Sequence, residues 1–161
     1  MKKLFRQPAA RAAKLPLGVV ALVDDDIQVA KALDAWFGLG GLQTLHYCSS
    51  ESLLQAIGQI HESPTLAVGA NPSRRADLVA AVLDLNLPGL SGFELAAVLR
   101  SRFPRLPLVI ITALREDDRL ALGSSPPGIT CLQKPFDLCD LDQALFPTVH
   151  ANLPPHQECP A

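Results

Sequence analysis

Short uninterrupted apolar runs alternate along this chain with segments of helical periodicity. The three clearest runs are rich in Val, Leu, Ile and Ala, and they span residues 18–23, 78–83 and 106–112. Strands that are covered on both faces have this composition. Because parallel strands are joined by crossover helices, the alternation predicts a doubly wound parallel sheet with helices on both faces.

Five strand-then-helix units can be read in this pattern. The predicted strands span residues 18–23, 42–47, 78–83, 106–112 and 129–133. The predicted helices span residues 26–41, 49–60 and 93–103, with a fourth before residue 123 and a last one that begins near Leu138. One face of the first helix is expected to be buried through Ile27, Ala30, Leu33 and Phe37.

Three stretches interrupt this regularity. Residues 61–77 are long for a helix-to-strand connection and predict an Ω-like loop or a partly mobile insert. The segment 123–128, "GSSPPG", ends the fourth helix with two prolines. Pro147 is expected to interrupt or kink the last helix, since proline removes a hydrogen-bond donor and clashes one turn back.

Length and composition limit the protein's class. The chain has 161 residues, 48% of them apolar, which is enough for one well-buried core but not for two comfortable domains. Its net charge of −2 lacks the basic character of a general nucleic-acid-binding protein. Its apolar runs of about eight residues are far shorter than the roughly 20 that cross a bilayer. The four cysteines match no zinc-binding spacing, so a reduced, cytoplasmic protein is expected.

Polar residues gather where the predicted strands end, and ligands of doubly wound sheets bind at that edge. The polar residues are Asp24, Asp25, Asp26, Asp84, Thr112 and Lys134, and Ala113 and Pro135 directly follow the last two of them. Taken singly, each has a structural explanation as a helix cap, a turn former, a strand end or a solvated charge.

Together, these residues are harder to explain by stability alone. Carboxylates 4 Å apart repel by roughly 1 kcal/mol per pair in water, and by more in a protein. A bound Mg²⁺ would relieve that repulsion. With a lysine and a threonine hydroxyl as donors, the set suits phosphoryl transfer to a carboxylate. Asp84, which ends a central strand between the others, is the candidate nucleophile.

Four motifs in this order resemble the receiver domain of two-component response regulators: "VVALVDDDIQVAKAL", "VLDLNLPGLSGFEL", "VIITA" and "QKPFD". The resemblance covers about residues 18–146, and the interval from Thr112 to Lys134 matches the family's usual one. It implies a flavodoxin-like (βα)5 fold, with a doubly wound parallel five-stranded sheet in the strand order 2-1-3-4-5.

The resemblance also implies roles for the residues at the strand ends. Asp84 would be the phosphorylation site and would accept a phosphoryl group from a sensor histidine kinase or a histidine phosphotransfer protein. The implied Mg²⁺ ligands are Asp24, Asp25, Asp84 and the backbone carbonyl of Asn86. The implied phosphoryl-contacting residues are Thr112, Ala113 and Lys134. The bond before Pro135 is expected to be cis, and the domain is expected to be no enzyme beyond weak self-catalysed phosphorylation and dephosphorylation.

The sequence departs from the family pattern on one surface. The family usually carries Tyr or Phe three residues before the lysine, where this chain has Cys131, which cannot fill the same volume. Pro126, Pro127 and Pro147 fall on the surface of helix 4, strand 5 and helix 5, the family's usual output and dimerisation face. Our hypothesis is that the chemistry is retained while this face is atypical.

The resemblance also predicts a domain organisation. A basic flexible arm (1–16) is expected to precede the receiver domain (17–150), and a flexible tail (151–161) to follow it. Because no output domain follows in this sequence, a single-domain regulator is expected to signal through unknown partner proteins, or to relay or sink phosphoryl groups. Homodimerisation stays open, and no direct nucleic-acid binding is expected.

Three other functions make different demands on the sequence. A haloacid-dehalogenase-like phosphatase needs a second aspartate two residues after the nucleophile, and this chain has Asn86 there. A pseudo-receiver, which acts as a phosphorylation-independent interaction module, usually lacks part of the acidic pair, the phosphoacceptor or the lysine, and all of these are present. The atypical output face nevertheless keeps the pseudo-receiver open as the alternative function. A DNA-binding regulator without its output domain finds no support in a basic C-terminus.

Overall fold

The computed structural model describes residues 18–60, 63–123 and 125–147. Within these ranges, seven strands form one sheet: β1 (Val19–Val23), β2 (Gln43–Tyr47), β3 (Gly58–Ile60), β4 (Ser63–Ala67), β5 (Arg75–Asp84), β6 (Leu108–Thr112) and β7 (Thr130–Gln133). The helices are α1 (Ile27–Leu39), α2 (Ser50–Ala56), α3 (Gly92–Arg102), α4 (Glu116–Ala121) and α5 (Leu138–Leu145). None of these helices has the length and apolar character needed to cross a membrane.

Five of the strands form the predicted parallel sheet. β2, β1, β5, β6 and β7 lie in this order, and each pairs with its neighbours in parallel. The prediction of a doubly wound, flavodoxin-like fold in the strand order 2-1-3-4-5 is therefore confirmed. β1 and β6 are buried along their whole length, as their unbroken apolar runs predict.

Two apolar cores cover the two faces of this sheet. Along β1, Val19, Ala21 and Val23 point to one core, while Val20 and Leu22 point to the other. The first core contains side chains of α2 and α3, and the second contains side chains of α1 and α5. Helices on both faces thus bury the central strands β1 and β6, while the edge strands β2 and β7 stay partly exposed.

The expectation of a loop or mobile insert at residues 61–77 is wrong for the described part of that stretch. β4 and the first residues of β5 lie within it, and β4 pairs antiparallel with both β3 and β5. Leu66 is completely buried in the first core, which gives this hairpin an apolar anchor. The five-stranded sheet therefore carries two further strands, and residues 61 and 62 lie outside the described part.

Several predicted element boundaries also change. α2 ends at Ala56 rather than at residue 60, because residues 58–60 pair with β4 as strand β3. Ile27 is 54% exposed rather than buried, since it begins α1 directly after the loop that follows β1. α5 ends at Leu145, just before Pro147. The predicted arm at 1–16 and tail at 151–161 lie outside the described residues.

Candidate functional site

The carboxyl ends of the parallel strands bring four polar side chains to one edge of the sheet. Asp84 and Thr112 are the last residues of β5 and β6, while Asp24 directly follows β1 and Lys134 directly follows β7. Asp24, Asp84 and Thr112 are only 3%, 6% and 1% exposed. Buried polar groups require partners, because unpaired ones are costly to remove from water.

Lys134 joins two of these carboxylates. Its Nζ donates a hydrogen bond to Asp84 Oδ1 at 2.8 Å and another to Asp24 Oδ2 at 3.1 Å. Its backbone N–H donates to the carbonyl of Thr112 at 2.7 Å, and the peptide bond to Pro135 is cis. Burial would lower the pKa of Lys134, but the bonds to Asp84 and Asp24 outweigh it and raise the pKa above its usual value. The lysine is therefore held in its charged form.

Asp24 is fixed on both its side chain and its backbone. Its Oδ1 accepts a hydrogen bond from the N–H of Asp26 at 2.8 Å. Its carbonyl lies 2.6 Å from Nε2 of His46, at the end of the neighbouring strand β2. Burial raises the pKa of Asp24 above its ordinary value, although the Asp26 amide and Lys134 act in the opposite direction. This carboxylate is thus desolvated and has a fixed orientation.

The backbone around Asp84 is held as closely as its side chain. Its Oδ2 accepts a hydrogen bond from the N–H of Asn86 at 2.9 Å. Gly92, the first residue of α3, donates its N–H to the carbonyl of Leu85 at 3.0 Å. A Cβ at Gly92 would lie only 2.4 Å from the carbonyl oxygen of Asp84, so glycine lets α3 begin directly against this backbone.

Three carboxylates meet at this edge. Asp24, Asp25 and Asp84 each present an oxygen within 4.8 Å of the other two, and Asp25 is exposed. Two opposite ligands of an octahedral Mg²⁺ lie about 4.2 Å apart, and the ion prefers carboxylate and water oxygens. The geometry and chemistry of this set therefore fit Mg²⁺. The contribution of the Asn86 carbonyl stays a prediction, since only its N–H is seen to bind Asp84.

Two other predicted residues line the same edge. Thr112 accepts a hydrogen bond on its Oγ1 from the N–H of Leu114 at 3.0 Å, and Ala113 between them is exposed.

Sequence reasoning missed Gly92, whose lack of a Cβ matters only once α3 is placed against β5. Its local signal is the capping box that precedes the helix, in which Ser91 and Glu94 exchange hydrogen bonds.

Residues 20–146 match a family model described as the response regulator receiver domain. The chain belongs to this family. Receiver domains are signalling domains that bind Mg²⁺ through acidic residues and work with histidine kinases or phosphotransfer proteins. The prediction made from the four sequence motifs is therefore confirmed at the level of the family.

Curated relatives of this receiver domain are response regulators. It is 30% identical to the response regulator protein FleR of Pseudomonas aeruginosa over 118 residues, which cover 73% of this chain and 22% of FleR. It is 26% identical to the DNA-binding transcriptional regulator NtrC of Escherichia coli over 121 residues, which cover 75% of this chain and 22% of NtrC. The chain thus spans about a fifth of the length of these relatives.

Solved structures share the fold of this receiver domain. A sensor protein from Polaromonas matches it with a TM-score of 0.61 and 25% identity, over 84% of this chain and 98% of the other. A receiver protein from Sinorhizobium medicae also gives a TM-score of 0.61, at 19% identity, over 84% and 97% of the two chains. The chemotaxis protein CheY4 of Vibrio cholerae has a TM-score of 0.56 at 19% identity, over 85% and 99%.

Proposed function

We propose that this receiver domain accepts a phosphoryl group on Asp84 from a sensor histidine kinase or a histidine phosphotransfer protein. The observation that carries the proposal is the arrangement around Asp84. Its carboxylate ends a central strand, lies 2.8 Å from the Nζ of Lys134 and belongs to a cluster of three carboxylates. A buried carboxylate gathered with other acids at a sheet edge suits chemistry better than stability.

The reaction is an in-line exchange of bonds at phosphorus. A carboxylate oxygen of Asp84 attacks the phosphorus of a phosphohistidine, the new O–P bond forms as the N–P bond breaks, and the bonding pair stays on the imidazole nitrogen. Lys134 and the hydroxyl of Thr112 would donate hydrogen bonds to the phosphoryl oxygens. The small, exposed side chain of Ala113 leaves the phosphoryl group accessible.

Asp24, Asp25, Asp84 and the backbone carbonyl of Asn86 would hold Mg²⁺. When bound, this ion neutralises negative charge on the carboxylates and on the incoming phosphoryl oxygens. Three carboxylates and one ammonium leave an excess of two negative charges when all are ionised, which a divalent cation balances. The residues thus supply both the ligands and the charge that the ion requires.

Phosphorylation of Asp84 would signal through a protein surface. It adds about −1.5 to −2 charge and three acceptor oxygens, which is enough to bias a surface between two arrangements. The protein that reads this surface is unknown. The proposal also places the domain in the cytoplasm, where histidine kinases phosphorylate their partners.

Intact-mass spectrometry after incubation with acetyl phosphate and Mg²⁺ tests this function. We expect one Mg²⁺-dependent phosphoryl adduct, its loss in Asp84→Asn, and its retention in Asp77→Asn, which changes an exposed aspartate of the same strand outside the site. Absence of the adduct both with acetyl phosphate and with a phosphorylated phosphotransfer protein would contradict the proposal. That result would favour a pseudo-receiver, which binds partners without phosphorylation.

A further inference from the structure

The loop at residues 85–91 joins β5 to α3 and carries Asn86, and the first turn of α2 holds this loop from outside. The Oγ of Ser50 donates a hydrogen bond to the carbonyl of Leu90 at 2.7 Å. The N–H of Leu90 in turn donates to Oε1 of Glu51 at 3.1 Å. Two adjacent residues of α2 thus satisfy both backbone groups of one loop residue about 40 positions away in sequence.

The local geometry indicates that this contact is built into the loop. Gly89 has a φ of +77°, and a Cβ there would lie 2.3 Å from the carboxylate of Glu51. Glycine both adopts this backbone conformation and lets the carboxylate approach the chain. Ser50 is completely buried although its side chain is polar, so its hydroxyl depends on the bond to Leu90.

α2 can serve as a fixed support because both of its ends are anchored. The helix has seven residues, which is too short for stability on its own. Its first turn is capped by Ser49 and Ser52. At its other end, Nη2 of Arg75 donates to the carbonyl of Ala56 at 3.0 Å, and Nε of Arg75 donates to Thr65 in β4. Arg75, the first residue of β5, therefore anchors α2 at the end opposite the loop, and Thr65 of β4 holds Arg75 in place.

We propose that Ser50 and Glu51 are positioning residues for the Mg²⁺ and phosphoacceptor site. By fixing Leu90, they restrict the loop whose other end supplies the Asn86 N–H to Asp84 and would supply the Asn86 carbonyl to Mg²⁺. Gly92 follows the loop and donates its N–H to Leu85, the first residue of the loop. The backbone between Asp84 and α3 is therefore held both by this bond and by α2. This inference rests on the proposed function, because it assigns these residues to that site.

The test uses the double variant Ser50→Ala/Glu51→Ala. Its Mg²⁺ affinity is measured by calorimetric titration, and its rate of phosphorylation by acetyl phosphate is measured at each Mg²⁺ concentration. We expect Mg²⁺ to bind about tenfold more weakly, the change that losing one or two net hydrogen bonds produces. The phosphorylation rate at saturating Mg²⁺ should stay close to that of the unsubstituted protein. If Ser50 and Glu51 were needed only for folding, their replacement would change the Mg²⁺ affinity and the phosphorylation rate together.

Three single variants sharpen this test. Glu51→Gln keeps an oxygen acceptor for Leu90 and should restore most of the Mg²⁺ affinity that Glu51→Ala loses. Glu116→Ala removes another exposed acid from the first turn of a short helix, where it pairs with Arg119 of the same helix, and should leave Mg²⁺ binding unchanged. Because Glu51 is exposed, Glu51→Ala should fold even if replacement of the buried Ser50 prevents folding.

The outcomes separate this inference from the proposed function. In one outcome, the unsubstituted protein is phosphorylated, but Glu51→Ala binds Mg²⁺ with unchanged affinity, and so does the double variant if it folds. The positioning role is then wrong and the proposed function stands. If the unsubstituted protein neither binds Mg²⁺ nor is phosphorylated on Asp84, the proposed function is wrong, and the positioning role fails with it.

Discussion

The two helices that follow β5 and β6 begin very differently. α3 starts with a capping box between Ser91 and Glu94 and buries Leu95 and Leu99 in the core. α4 begins at Glu116, its N-cap residue Arg115 makes no side-chain cap, and none of the six helical residues is buried. One helix is locked against the strand that carries Asp84, while the other is held loosely beside the strand that carries Thr112.

The same contrast extends to the strands. β6 is buried along its whole length, whereas no residue of the neighbouring strand β7 is fully buried. Between α3, α4 and β7 lies a cavity of about 300 Å³, lined in part by Cys131 and Leu120. Leu120 and Leu122 are 64% and 60% exposed. The face formed by α4 and β7, called here the α4–β7 face, is therefore the more loosely packed of the two regions.

This difference in packing suggests that the two regions have different roles. Regions with few buried contacts open or rearrange at a lower free-energy cost than tightly packed ones. We therefore expect the phosphoacceptor Asp84 and its loop to stay fixed on the rigid α3 side and phosphorylation-dependent rearrangement to occur on the α4–β7 face. Cys131 stands where the family usually has an aromatic side chain, so any rearrangement must proceed without one. The hypothesis of retained chemistry with an atypical output face stays a prediction.

Breaking the rigid side should have the largest effect. In Gly92→Ala, the new Cβ collides with the carbonyl oxygen of Asp84, so the free energy of unfolding should fall by about 1–3 kcal/mol. Phosphorylation of Asp84 should fall with it, because the acceptor backbone must move. The measurements are urea denaturation and intact-mass labelling.

Gly38→Ala is the matched control for that variant. Gly38 lies in α1 with nothing near its missing Cβ, so alanine there should stabilise the protein by about 0.5–1 kcal/mol. Equal effects of the two substitutions would show that α3 does not press on the backbone of Asp84.

Removing a charge from the carboxylate cluster should have a smaller effect of opposite sign, an increase in the free energy of unfolding. Asp25→Asn removes one of three neighbouring negative charges, so the metal-free protein should become more stable by about 1 kcal/mol. The same change should weaken Mg²⁺ binding, since it removes a proposed ligand. Urea denaturation with and without Mg²⁺ measures both effects. Loss of stability without Mg²⁺ would mean that the three carboxylates do not repel one another in the folded protein.

The smallest effect should come from the loose side. Arg115→Ser provides the side-chain cap that α4 lacks and should raise the free energy of unfolding by about 0.5–1 kcal/mol. Phosphorylation of Asp84 should stay within experimental error. As the matched change on the other helix, Ser91→Ala should cost about 1 kcal/mol. A large loss of labelling in Arg115→Ser would mean that phosphorylation of Asp84 depends on the start of α4, which contradicts the expectation that Asp84 is held from the α3 side.

The parallel sheet and the meeting of its acidic residues could be predicted because both follow from simple patterns. The apolar run at 18–23 has the composition of a fully covered strand, and it became one. Asp24 and Asp84 come at the ends of parallel strands, so topology alone brings them to one edge. Lys134, which follows another strand, joins them for the same reason.

The hairpin could not be predicted, because its stability is not local. β3 and β4 have three and five residues, and β4 contains Pro64, which is unfavourable inside a sheet. What holds them is the buried Leu66 and the hydrogen bonds of Arg75, and both depend on partners elsewhere in the fold. The contact between Ser50 and Leu90 escaped prediction for the same reason.

The lysine that bridges Asp24 and Asp84 has a consequence for the resting protein. Its ammonium serves as a tethered counterion, so two acids that would otherwise repel each other are neutralised in part by the chain itself. In the proposed function, an arriving phosphoryl group would offer that ammonium new oxygens at the same place. The resting and phosphorylated forms would then differ by an exchange of partners around a single nitrogen, which makes Lys134 Nζ a natural spectroscopic reporter of the domain's state.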